Sequence, residues 1–225
     1  MGLIANSGSN VMFKKVPAGV HIARCVQVID LGTQEVTFQG ETKQQHKLYI
    51  AWEVLGEDDA GVPLTYEGTD GKDHPMTIGK RYTLSLNDKA ALRKDLAAWR
   101  GRDFTPEELK AFDISKLLGA YCMLNVQHNE SNNGKTYANV ASITPLPTAL
   151  AKNKPTSDTK PVSFDMDDPD MALFDSFPPW LQDVIQASAE WAARSAPKAP
   201  PKPAPAKAGT AFDDMESDEL DDVPF

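Results

Sequence analysis

MTIGKRYTLSLNDKAALRKDLAAWRGRDFTPEELKAFDISKLLGAYCMLNVQH, residues 76–128, changes its apolar period twice, and those two changes decide the fold. From Met76 to Leu86 the residues alternate, with Ile78, Tyr82 and Leu84 on the inner side and Arg81 and Thr83 on the outer, as in a half-buried strand. From Asn87 the spacing turns helical. Leu92, Leu96 and Trp99 fall three or four residues apart, with Asn87 or Asp88 as cap and Gly101 as stop. Thr105-Pro106-Glu107-Glu108 starts a second helix, threonine capping and proline in the first turn. From Gly119 alternation returns, Ala120, Cys122, Leu124 and Val126 facing away from Tyr121. The stretch reads as strand, helical insert over 88–117, strand.

Working outward, residues 19–32 are rich in Val and Ile with broken alternation, which suits a long strand that bends or bulges. Residues 46–55 alternate cleanly, Leu48, Ile50, Trp52 and Val54 against Lys47, Tyr49, Ala51 and Glu53. A Gly/Asp-rich loop fills 56–75. Residues 135–144 form a last strand, paired antiparallel with 119–128 across a turn containing Asn-Asn-Gly. Trp52, Tyr82 and Trp99 belong in the core. The order strand, strand, strand, helix, strand, strand predicts a mainly β fold over residues 1–147: a five-stranded oligonucleotide-binding barrel with its helical insert between strands 3 and 4.

The composition changes beyond Pro147. Residues 148–178 are polar and interrupted by proline, and predict a flexible linker. The run Asp165-Met166-Asp167-Asp168-Pro169-Asp170 lacks the spacing and glycine of a calcium loop and reads as solvated linker. Residues 179–195 align Trp180, Leu181, Val184, Ile185 and Trp191 on one stripe, an amphipathic helix that must dock on the barrel, on itself or on a partner. Residues 196–212 are a Pro/Ala/Lys-rich spacer, and 213–225 an acidic tip. The predicted tail is therefore largely disordered, with one helix in it.

Net charge is −9, but residues 1–150 carry 16 Lys and Arg against 17 Asp and Glu, and residues 151–225 carry 7 against 15. The acidity belongs to the tail, so it does not exclude a nucleic-acid binder. Cys25 and Cys122 sit in apolar runs without metal or redox spacing and read as buried thiols in a reducing compartment. No phosphate loop, nucleophile elbow, zinc pattern or spaced catalytic histidine occurs, so no enzyme, metal or cofactor is expected. No stretch has the length of a membrane span, and the N-terminus has no signal pattern, which predicts a cytoplasmic protein.

The tip carries seven acidic residues and ends Asp221-Asp222-Val223-Pro224-Phe225. A terminal ring fills a pocket while its carboxylate and the aspartates meet basic residues at the rim. This ending resembles the acidic tip of bacterial single-stranded DNA-binding proteins, which typically end Asp-Asp-Ile-Pro-Phe. The large helical insert and the tail helix look more like a bacteriophage version, which would act in the bacterial host cytoplasm. The resemblance implies sequence-nonspecific binding of single-stranded DNA in replication, recombination and repair. It also implies that replication, recombination or repair proteins dock on residues 221–225.

Single strands bind by base stacking on aromatic rings and by phosphate contacts to Lys and Arg. The expected stacking residues are Tyr49, Tyr121 and Tyr137; the expected phosphate contacts are Arg24, Lys43, Lys47, Lys80, Arg81 and Lys135. One barrel per chain is compatible with a monomer or a homo-oligomer. The alternative reading is a replication or recombination scaffold whose barrel binds protein or duplex DNA.

Overall fold

The computed structural model describes residues 15–38, 40–68, 71–131 and 134–195, so the expected spacer and tip lie outside the described residues. β1 (Gly19–Phe38) pairs along its length with β2 (Glu41–Leu55), with register shifts between Cys25 and Gln27 and between Asp30 and Gly32. The first shift inserts Val26 and inverts the alternation. Ala23 and Cys25 face the main core before it and Val28 after it, while Ile29 and Leu31 are turned to the opposite face. That inversion is the broken alternation of the sequence.

β3 (Thr65–Glu67) and β4 (Asp73–Pro75) make a small hairpin inside the stretch expected as loop. β5 (Thr77–Thr83) pairs with β2. It ends at Thr83, so Leu84, expected inward, is exposed. α1 (Ala91–Arg100) follows and presses Leu92, Leu96 and Trp99 into the core, Trp99 beside Trp52 at 5.9 Å between rings. Its N-cap is Ala90 without a side-chain bond, not Asn87 or Asp88; Asp88 pairs with Arg93 instead. Gly101 stops it in the left-handed conformation. α2 (Pro106–Lys110) begins with the Thr105–Glu108 capping box. A single-turn 3-10 helix, Ile114–Leu117, leads into β6 (Tyr121–Glu130), which turns back as β7 (Thr136–Pro145).

The fold is mainly β, and the main sheet is antiparallel in the order β5-β2-β1-β6-β7. Its two ends, β5 and β7, share no ladder pairing. The core beneath holds Trp52, Ile50, Leu124, Ile143 and both thiols. Burial pushes the Cys25 thiol up to about 12 and Cys122 up as well, as expected of inert thiols.

The stretch expected as a flexible linker is packed instead. Beyond α3 (Thr148–Ala151), β8 (Val162–Phe164) adds to β1 in parallel through Gln27, Val28 and Ile29. β6 occupies the same edge of β1 only from Gly19 to Arg24, so β8 takes over where the bulge leaves that edge open. α4 (Met171–Asp175), α5 (Pro179–Gln186) and α6 (Ala189–Ser195) follow. Phe174 of α4, Phe177 of the link to α5, and Leu181 and Ile185 of α5 join Phe164 and Met166 over Ile29 and Leu31 in a second core on the sheet's outer face. Burying each such side chain is worth about 1.5–3 kcal/mol. The segment has too few apolar residues for a core of its own but enough to cover a sheet face already built. Within the aspartate run, Asp165 accepts from the Asp167 amide and Asp170 caps α4, so those carboxylates serve the local backbone. Among the described residues no helix is long and apolar enough to cross a membrane.

Candidate nucleic-acid interface

β2 and β5 present adjacent outer-face residues because their register sets Tyr49 opposite Arg81 and Lys47 opposite Thr83. The Lys47 ammonium donates to Gln45 Oε1 at 2.6 Å and Thr83 Oγ1 at 2.9 Å. Burial lowers its pKa, the mark of a partly dehydrated cation held by neutral oxygens. Arg81 is exposed, its guanidinium carbon 5.3 Å from the centre of the Trp180 ring. Among the described residues neither cation forms an ion pair within 4.0 Å. Beside them runs a groove of about 460 Å³, walled by Gln34 and Val36 of β1, Lys47, Arg81 and Thr83 of the sheet, and Val184 of α5.

Tyr49 was expected on an open face; its ring is half-buried in the second core. It meets Trp180 edge to face, with centroids 5.4 Å apart at 74°. Burial raises its pKa, partly offset by Arg81. The ring lies across Gly79, where an added Cβ would sit 2.1 Å from the Tyr49 hydroxyl oxygen.

The other expected contacts are dispersed. Arg24 is committed to a buried ion pair with Glu53, Nε to Oε1 2.6 Å, and also donates to the Thr159 carbonyl, so it is not available to phosphate. Lys80 projects on the opposite face from Arg81 and pairs with Asp95 at 2.7 Å, beside the Tyr82 ring. Lys43 lies on the exposed end of the β1–β2 hairpin, paired with Glu41 at 2.8 Å. Tyr121 is half-buried, its hydroxyl donating to Pro155 O at 2.9 Å and its ring covered by Lys154 at 4.3 Å. It borders a second cavity of about 500 Å³, with Lys116 and Lys154 on its wall. Tyr137, 49% exposed, and Lys135 stay open on the β6–β7 hairpin. The structure thus gathers Lys47, Tyr49 and Arg81, leaves Lys135 with Tyr137 on a separate hairpin, and withdraws Arg24 and Lys80. Residues 221–225 lie outside the described residues.

Trp180, 43% exposed between Arg81 and Tyr49, is the residue sequence reasoning missed at this surface. Its stripe signalled docking, but no spacing rule names the face on which a helix docks. No protein-family model matches the chain, and no curated protein matches it significantly.

Proposed function

We propose that this protein binds single-stranded DNA without sequence preference, as a non-enzymatic coating protein of replication, recombination and repair. The observation that carries this reading is the placement of Lys47 and Arg81, neither ion-paired among the described residues, beside the exposed ring of Trp180 over the outer face of β2 and β5. That combination of cations and rings is what a flexible polyanion of stacked bases requires. The strand sequence supports it. Counting β1, β2, β5, β6 and β7 as strands 1 to 5, the sheet order is 3-2-1-4-5 with α1 between strands 3 and 4. We read this as the oligonucleotide-binding barrel opened between strands 3 and 5, whose strand 2–3 face is the ligand face. The acidic Asp221–Phe225 ending supplies the docking point for partner proteins in the same reading.

The deciding experiment is a titration of the full chain with a homopolymeric dT strand and with duplex DNA over a series of salt concentrations. The expected result is tight, salt-dependent binding of the single strand and little of the duplex. Lys47→Ala and Arg81→Ala should each lower the logarithmic salt slope by roughly 0.7. Equal affinity for duplex, or none for either, overturns the reading.

A further inference from the structure

We infer that Trp180, which stands beside the groove against Arg81 and Tyr49, is the principal base-stacking residue of this surface, so that the nucleic-acid surface is built jointly by the sheet and by α5. This deepens the reading of the protein as a single-strand binder and rests on it.

Among the aromatic rings near the cations, only Trp180 combines exposure with a fixed orientation. Tyr49 is half-buried, its ring lying across Gly79 and in edge-to-face contact with the indole. Tyr121 is half-buried, its hydroxyl tied to Pro155 O and its ring on the wall of the separate second cavity, and Tyr137 stands on the β6–β7 hairpin, whose strands pair with neither β2 nor β5. Trp180 is 43% exposed although its neighbour Leu181 and, one turn on, Ile185 are buried almost completely. The helix is therefore anchored by its other face, and the indole is held outward by Tyr49 and Arg81 rather than by lack of somewhere to pack.

An indole is the largest π surface a protein offers, and a nucleobase stacks on it whatever its identity. The Arg81 guanidinium against the ring carries donors for the phosphate next to a stacked base, and Lys47 supplies a second cation across the strand pair. The ligand these groups fit is a single-stranded oligonucleotide laid along β2 and β5 with one base on α5.

The indole reports its own contact. In the full chain, titration with an oligo(dT) strand should quench tryptophan fluorescence, and Trp180→Phe should remove most of that quenching. Trp52 and Trp99 are buried and Trp191 is stacked on Phe174, so they are shielded from a bound base. Trp180→Leu keeps apolar bulk without a π face and should weaken dT binding by about 5- to 150-fold. Trp180→Phe should restore most of the affinity. If the wild type binds dT but Trp180→Phe is quenched as fully, or Trp180→Leu binds as tightly, the stacking role is overturned and single-strand binding stands. If the wild type binds no dT, both fall. Should Trp180→Leu lower the unfolding temperature, the quenching difference between wild type and Trp180→Phe decides alone.

Discussion

Glu53 is 1% exposed and meets two segments far from it in the chain: Arg24 on β1 and the Ser157 hydroxyl, which donates to its second oxygen at 2.8 Å. The pair sits on the outer face of the sheet, beneath the segment that leads to β8. Removing one member strands a buried charge, so Arg24→Ala should cost about 3–5 kcal/mol, read by urea unfolding. An unchanged midpoint would mean that water reaches Glu53. Gly79 makes a second demand. A methyl group there collides with Tyr49, and Tyr49 cannot yield without moving Trp180. Gly79→Ala should destabilise by about 1–3 kcal/mol and shift the fluorescence of Trp180, whereas the same change at a surface glycine would leave the emission untouched.

At the level of elements, α6 is held to β1 by Glu190, which accepts from Thr33 N at 2.7 Å and Thr33 Oγ1 at 2.6 Å. Burial pushes that carboxyl up, but the bonds from Thr33 outweigh it and hold its pKa below the usual range. A depressed carboxyl stabilises the folded state above its unfolded pKa and ceases to do so as pH falls through its folded value. His46, with Nδ1 3.9 Å from Glu190 and Nε2 2.6 Å from Asp30, faces the same junction. The protection of α6 against hydrogen exchange, relative to the intrinsic rate at each pH, should therefore fall as pH drops below the ordinary glutamate range, and Glu190→Gln should show the low protection already at neutral pH. Gly32, with φ of +67° and an added Cβ only 2.7 Å from Ser188 Cβ, lets β1 approach this turn closely. None of this was legible in the sequence. The strands β1, β2, β5, β6 and β7 were, because each has one face against the main core and period 2 survives in Leu48 to Val54; the short β3, β4 and β8 were not. The insert was legible too, since Thr105 and Gly101 mark helix ends by local chemistry. The tail helix showed its apolar stripe, but its acceptor face, Ile29 and Leu31, was scrambled in period by the bulge at Val26. For the same reason Tyr49 and Arg24 read as solvent-side: alternation identifies the face opposite the core, not what later covers it. Trp180 was hidden in a stripe whose other members are buried, as Leu181 and Ile185 are, or half-buried, as Val184 and Trp191 are.

Across the whole molecule, the covered outer face makes residues 155–195 part of the folded body rather than an appendage. A chain ending at residue 150 would expose Ile29, Leu31 and Tyr49 and leave Glu53 without Ser157. Such a truncation should lose cooperative unfolding or aggregate, while one ending at residue 195 should melt as the full chain does; calorimetry separates the two. The charge division makes a further demand on residues 213–225, whose seven carboxylates exceed any basic surplus elsewhere. Deleting only Pro224 and Phe225 leaves those acids in place. If the ending is the docking point proposed above, this deletion should abolish capture of replication proteins by the immobilised chain while leaving dT affinity within about twofold, because it removes the terminal ring and shifts the carboxylate but keeps the acids.

The hydrogen bond from Ser157 to Glu53 joins residues 104 positions apart, and β8 reaches β1 from still further along. During synthesis at roughly 5–20 residues per second, that separation is an interval on the order of 5–20 s. For that time the β1–β2 hairpin stands translated with Ile29 and Leu31 bare and an open edge at Gln27–Ile29. The nascent chain therefore keeps an apolar face and a strand edge open until residues 164–185 have emerged, and slower elongation between residues 55 and 185 should lengthen that exposure.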